Sequence, residues 1–211
     1  MSSVKYWPFV VMVLMHCTSL FAAETELPLQ AQNLAEIEAD GWVEGLPAAA
    51  WNLKQGGKHY RMILSRTGAF RMPFDAPEAN ERSARLFATL YVEGEAGWQQ
   101  QWQIKDFVEA CPLDLSLRFT NAPFVATDLD ADGEPEFWVS YFHACRGDVS
   151  PAGLKLIGYE GTQKFAMRGD ALISYEEQSY GGEGTADAAL KSAPKAFQAF
   201  AAKRWLLVRK E

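Results

Sequence analysis

Short runs of alternating apolar, β-branched and aromatic residues recur along most of the chain, and Gly, Pro and Asp clusters break them up. Seven runs predict strands at 59–65, 85–92, 98–107, 124–127, 136–143, 154–159 and 163–167. The breaks are Gly56-Gly57, Pro73 to Pro77, Gly94 to Gly97, Asp130 to Gly133, Gly147 to Gly153 and Gly161. Strands of this length and spacing predict a mainly β (α+β) fold, built as an antiparallel sheet or sandwich. Two segments carry helical spacing instead. Residues 30–39 place Leu34 and Ile37 among alanines ahead of Asp40-Gly41, a short helix with a glycine stop. Near the end, Pro194 suits a first helical position. Phe197, Phe200, Ala201, Trp205 and Val208 follow at spacings of three and four, an apolar stripe for packing on a sheet. Residues 180–184 read as a flexible loop that lacks the phosphate-cradle pattern. No internal repeat is evident, so a propeller or solenoid is not supported.

The first segment follows different rules. Lys5 is the sole charge before Glu24, and apolar residues run from Tyr6 to Leu14 and again to Phe21. Ala22 and Ala23 then precede the acidic Glu24-Thr25-Glu26. A basic start, an apolar centre and small residues at the end predict a secretory signal peptide over 1–23, leaving 24–211 as a single mostly β domain. The competing readings are an uncleaved anchor, which Pro8 and His16 interrupt short of the ~20 apolar residues a span needs, and a lipoprotein attached at Cys17. The expected location is periplasmic or secreted, with no membrane span after cleavage.

Composition narrows the partners. The chain is 48% hydrophobic with a formal charge of −7 and no basic stripe. Disorder is excluded, and neither a nucleic-acid nor an anionic-membrane partner is expected. Cleavage would remove Lys5 and make the charge one unit more negative.

Cys17 would leave with the signal, and Cys111 and Cys145 would remain as an even pair. An oxidising compartment favours a disulfide between them. It would close a loop of about 35 residues and stabilise the fold by roughly 3.5–4 kcal/mol in the chain-entropy model. The competing reading, a reactive thiol or a metal pair, has no CxxC to support it and His143 alone at ligand spacing.

The sharpest chemistry lies in Thr127-Asp128-Leu129-Asp130-Ala131-Asp132-Gly133-Glu134-Pro135-Glu136. Three carboxylates within five residues repel one another unless a cation intervenes. Ca²⁺ takes six to eight oxygen ligands, and a turn with Gly at its sixth position can wrap them around one ion. The expected shell is the side chains of Asp128, Asp130 and Asp132, the backbone carbonyl of Glu134, the carboxylate of Glu136, and water. Mg²⁺, Mn²⁺ or an ion-free acidic turn are the alternatives. An EF-hand is excluded, because its twelfth position needs a bidentate Glu and here holds Val139. Its exit would also be a helix, whereas residues 136–142 are β-prone. The loop instead resembles the strand–loop–strand calcium loop of integrin-type FG-GAP modules, present here in one copy.

A wider resemblance surrounds it. The residues are Trp102-x-Ile104-x-Asp106, Cys111-Pro112, the loop itself, Cys145-Arg146-x-Asp148-x-Ser150-Pro151, Leu154-Lys155-Leu156 and Arg168-Gly169. Over about residues 100–170 the chain resembles an exported bacterial family of uncharacterised proteins provisionally labelled surface polysaccharide biosynthesis. The resemblance implies export, the disulfide and the calcium loop; it supplies no catalytic residue.

Other chemistry is sparse. After cleavage His59 and His143 are the histidines left, and no GxSxG elbow exists for a serine nucleophile. Asp106, Glu109, Asp114 and Asp148 are the carboxylates open to a glycosidase reading, although an Asx turn or an ion pair with Arg146 accounts for Asp148 more simply. Trp98, Gln100, Trp102 and Ile104 are expected on one strand face, as core or as a sugar platform. The expected function is a non-catalytic calcium-binding module of the bacterial cell envelope with a glycan or protein partner. The alternative is a calcium-dependent carbohydrate-active enzyme.

Overall fold

The computed structural model describes residues 26–39, 41, 43–71, 80–175 and 177–211. The predicted signal segment over 1–23, with Cys17, lies outside the described residues.

Two five-stranded antiparallel sheets face each other. The first runs β1 (Gln30–Ala31), β2 (Leu46–Gln55), β3 (Lys58–Arg66), β4 (Arg82–Gly94) and β5 (Gly97–Cys111) in spatial order. The second has the order β12-β9-β8-β7-β6. Its members are β6 (Asp114–Thr127), β7 (Glu136–Arg146), β8 (Gly153–Glu160), β9 (Gln163–Asp170) and β12 (Gly184–Ala186). A separate hairpin, β10 (Leu172–Tyr175) and β11 (Gln178–Gly181), stands beside them. The expected mainly β architecture with a C-terminal helix is therefore what the chain adopts.

Alternation along the strands builds the layers. Leu64, Leu86, Leu90 and Ile104 of the first sheet meet Phe137, Val139, Tyr141 and Ile157 of the second in one core. β7 is buried from Glu136 to Phe142, because its other face is also covered. There Trp138 and Phe142 pack under α3 (Lys195–Val208), which presents Phe197, Phe200, Ala201, Trp205 and Val208. Fully burying side chains of this size contributes about 1.5–3 kcal/mol each. Pro194 stands one position earlier than expected, as the cap residue before the helix. A third cluster lies outside the first sheet, where Ile37 of α1 (Leu34–Ala39) covers Ala50 and Ile63.

The helix expected over 30–39 is shorter than its pattern, since Gln30 and Ala31 pair with Asn52 and Trp51 as β1. β2 was not visible as a strand, because its Leu-Pro-Ala-Ala-Ala start has little β propensity. Residues 180–184 are not a loose loop. Gly181 closes β11, Gly184 opens β12, and the Gly182 carbonyl accepts from Trp205 Nε1 at 2.8 Å.

Cys111 and Cys145 form the disulfide, with Cα atoms 5.6 Å apart, and tie β5 of one sheet to β7 of the other. At the far end of β7 the chain entering the domain makes a second crossing. Glu26 bridges Thr127, Leu27 N–H donates to the Ala126 carbonyl, and the strand β1 then joins the first sheet.

Candidate metal centre

The acidic loop joins β6 to β7, and its ends are clamped by the register pair Thr127 and Glu136. Between them the backbone reverses through two left-handed residues, Ala131 (φ 60°) and Gly133 (φ 87°). Gly133 adopts this freely, whereas Ala131 carries a cost on the order of 1 kcal/mol. Each aspartate folds back on the loop. Gly133 N–H donates to Asp128 Oδ1 at 3.4 Å, Asp132 N–H to Asp130 Oδ1 at 3.4 Å, and Glu134 N–H to Asp132 Oδ1 at 2.8 Å. These turns bring the three carboxylates together. Asp128, Asp130 and Asp132 each place an oxygen within 4.8 Å of the other two, close enough to hold a metal ion.

Glu136 lies deeper. It is fully buried and accepts from Thr127 Oγ1 at 2.6 Å and from Leu129 N–H at 3.1 Å. Trp138 Nε1 donates to Thr127 Oγ1 at 3.1 Å, which fixes the hydroxyl toward the carboxylate. Burial pushes the Glu136 carboxyl up to about 7. The Asp130 and Glu160 charges add to that rise, and the Thr127 and Leu129 hydrogen bonds oppose it.

Sequence reasoning missed Glu160. It sits at the end of β8, opposite Glu136 in the register, and burial together with the loop aspartates raises its carboxyl. Its Oε1 is buried without a hydrogen-bond partner. Asp130, Glu136 and Glu160 form a second group within 4.8 Å, so Asp130 belongs to both groups. Among the described residues no cation pairs with Asp128, Asp130, Asp132, Glu136 or Glu160. Only strand register could have revealed Glu160, and residues 147–152 between β7 and β8 hide it.

Glu134 is placed differently from the aspartates. Its carboxylate turns to the first sheet, pairing with Lys58 Nζ at 2.6 Å and accepting from Tyr60 Oη at 3.3 Å. The backbone carbonyl is what Glu134 has left for an ion, as its position in the loop predicts. Gln55 Nε2 donates to Asp128 Oδ2 at 3.0 Å from the same side. The β2–β3 turn thus docks on the loop. It comes so near that a Cβ on Gly56 would lie 2.7 Å from the Gly133 carbonyl oxygen.

Elsewhere the candidate residues disperse. Asp106 bridges the sheets, accepting from Tyr141 Oη at 2.8 Å and pairing with Lys155 Nζ at 2.5 Å. Burial alone would raise its carboxyl, but these partners hold it below the usual range. Asp148 makes the expected Asx turn, accepting Ser150 N–H at 2.9 Å. Glu109 is exposed, and Asp114 lies 3.9 Å from Arg82. His59 pairs with Glu93 at 2.6 Å, and the His143 ring lies over Gly153, where burial lowers its basicity.

The four-residue aromatic face does not form. Gln101 is an inserted residue between the pairs Leu90–Trp102 and Tyr91–Gln100, and this bulge turns Trp98 and Gln100 to the opposite face from Trp102 and Ile104. Trp102 stacks on Tyr159 at 4.3 Å within the core, whereas Trp98 lies outside under Arg61. Among the described residues, no helix is long and apolar enough to cross a membrane. Comparison of the chain with protein-family models, with curated proteins and with solved structures gives no match.

Proposed function

We propose that this chain is an exported, non-catalytic calcium-binding module of the bacterial cell envelope, with a glycan or protein partner. One observation carries the reading: five carboxylates converge at the β6–β7 loop, and among the described residues no cation pairs with them. Asp128, Asp130 and Asp132 would supply side-chain oxygens, Glu134 its carbonyl, and Glu136 the inner carboxylate. Glu160 is a reserve ligand behind Asp130. An all-oxygen set on a turn suits Ca²⁺ better than Mg²⁺, which demands a tight octahedron and keeps its waters. The ion would neutralise the cluster and hold the loop against the β2–β3 turn. The disulfide, together with the signal-like first segment, supports an oxidising compartment outside the cytosol.

The enzyme alternative has less behind it. Asp106, a carboxylate that reading would use, is committed to Lys155 and Tyr141 as a tie between the sheets.

Calorimetric titration of residues 24–211 with CaCl₂ tests the metal. The expected dissociation constant is about 0.1–1 mM, the range of extracellular modules. A tenfold excess over that constant would stabilise the fold by about 1.4 kcal/mol. Asp130→Ala should abolish the heat. No heat and no change in melting temperature at millimolar calcium would end the proposal.

A further inference from the structure

The hairpin β10–β11 serves neither the core nor the acidic loop. Ile173 pairs with Tyr180 and Tyr175 with Gln178, so these four side chains share one face. That face looks onto the loop after β7. Between them lies a cleft of about 370 Å³ lined by Tyr175, Tyr180, Ile173, Val149, Asp148 and Ser150. Its apolar groups are open to solvent. Tyr175 is 49% exposed, Tyr180 45% and Val149 62%.

Both walls are fixed. Gly181, at φ 70°, comes so close to Pro151 that a Cβ there would lie 2.9 Å from its ring. Leu172 N–H donates to the Arg209 carbonyl, and Glu211 N–H to the Leu172 carbonyl. Glu211 also pairs with Arg146 at 2.6 Å and accepts Ala152 N–H at 3.2 Å, which ties the loop wall to the same chain end. Tyr180 Oη donates to Gln178 Oε1 at 2.5 Å. The base of the cleft is therefore anchored on both sides.

Its chemistry selects among ligands. Two phenol rings offer flat apolar faces with polar edges, which suit a sugar ring's C–H face and its hydroxyls. Asp148 and Ser150 add acceptors and a hydroxyl at the rim. Asp148 accepts the Ser150 N–H of its own turn, whereas Arg146 donates to the Ser150 carbonyl and is paired with Glu211. Among the described residues, no guanidinium or ammonium lines the cleft to attract an anion. A neutral, polyhydroxylated ring fits this set better than an acidic one.

We infer that the cleft between the β10–β11 hairpin and the 148–151 turn binds a neutral glycan, with Tyr175 and Tyr180 as stacking platforms and Asp148 as a hydroxyl acceptor. This rests on the reading of the chain as a binding module, and it places the partner away from the metal loop.

The test is calorimetric titration of residues 24–211, in calcium, with maltohexaose, cellohexaose and N-acetylchitohexaose, and with tetramethylammonium as a cationic probe. At least one sugar should bind saturably. Tyr175→Ala and Tyr180→Ala should each weaken it about tenfold or more, as truncation of an aromatic anchor does. Tyr175→Phe, which keeps the ring and the fold, should hold affinity within about threefold. Asp148→Asn preserves the turn and should cost only a few-fold. No heat with any of the three sugars, binding unmoved by both alanine variants, or tighter binding of tetramethylammonium than of every sugar would overturn the inference. Calcium titrated into the same samples separates the two ideas. Calcium heat without sugar heat sinks the cleft alone, whereas cleavage of a bound sugar keeps the cleft and sinks the non-catalytic module.

Discussion

Glu136 stands directly across from Glu160 on neighbouring strands, one carboxylate fully buried and the other with a buried, unpartnered oxygen. Like charges placed opposite in a sheet destabilise it, and a proton or a cation can relieve the pair. The consequence for pH has a definite sign. The Glu136 carboxyl rises from its ordinary value to about 7 in the folded chain. Its contribution to stability is thus complete below the unfolded value and lost as pH climbs through about 7. In chelator, the melting temperature should fall between pH 5 and pH 8. Saturating calcium should flatten that slope, and Glu136→Gln should flatten it without calcium. A chelated protein equally stable at both pH values would contradict the account.

Gly56 and Gly133 make the contact that seats the loop on the first sheet. Gly56 adopts φ 55°, and a side chain there would also strike the Gly133 carbonyl. Gly56→Ala should cost about 1–2 kcal/mol or more and weaken calcium binding. Gly57→Ala, with open space around it, should carry the backbone cost but leave calcium affinity near wild type. Denaturant melts and calorimetry of the two variants give the comparison.

The Asp106–Lys155–Tyr141 bridge is partly buried between the sheets. Asp106→Ala strands an ammonium and a hydroxyl and should cost about 1–3 kcal/mol, with Lys155→Met in the same chain recovering part of it. The depressed Asp106 carboxyl stabilises the fold above its unfolded value, and that contribution is lost as pH falls through its folded value. The gap between wild type and Asp106→Ala should therefore close in strong acid.

Reduction of Cys111–Cys145, or the double serine variant, should lower stability by about 2–5 kcal/mol. Mass mapping without reductant should find those two residues linked, and, under the proposed export, N-terminal sequencing of the secreted material should place a cleavage near Ala22 or Ala23.

Much of this was legible in the residues. The seven predicted strands fall on β3 to β9, since their β-branched and aromatic alternation matches the two faces of each sheet. The stripe from Phe197 to Val208 became the buried side of α3, and the clustered aspartates became a convergent group. What escaped depends on pairing across distance. β2 is strand-like because β3 holds it, not through its own propensity. The bulge at Gln101 reverses the faces of Trp98 and Trp102, and local alternation carries no sign of it. Glu160 joins Asp130 and Glu136 only because β8 returns beside β7.

β7 is fastened at both ends by unlike means. Near Cys145 the tie is a covalent bond to Cys111; at Glu136 it is a polar junction of the acidic loop, the β2–β3 turn and the Glu26-Leu27 segment. The two layers should thus come apart like a book held by its spine. Thermal opening would begin at the acidic edge, and the stapled edge would keep the halves in register for reclosure. Proteolytic nicks at low calcium should consequently fall first around residues 128–135, while the fragments remain joined until a reductant is added.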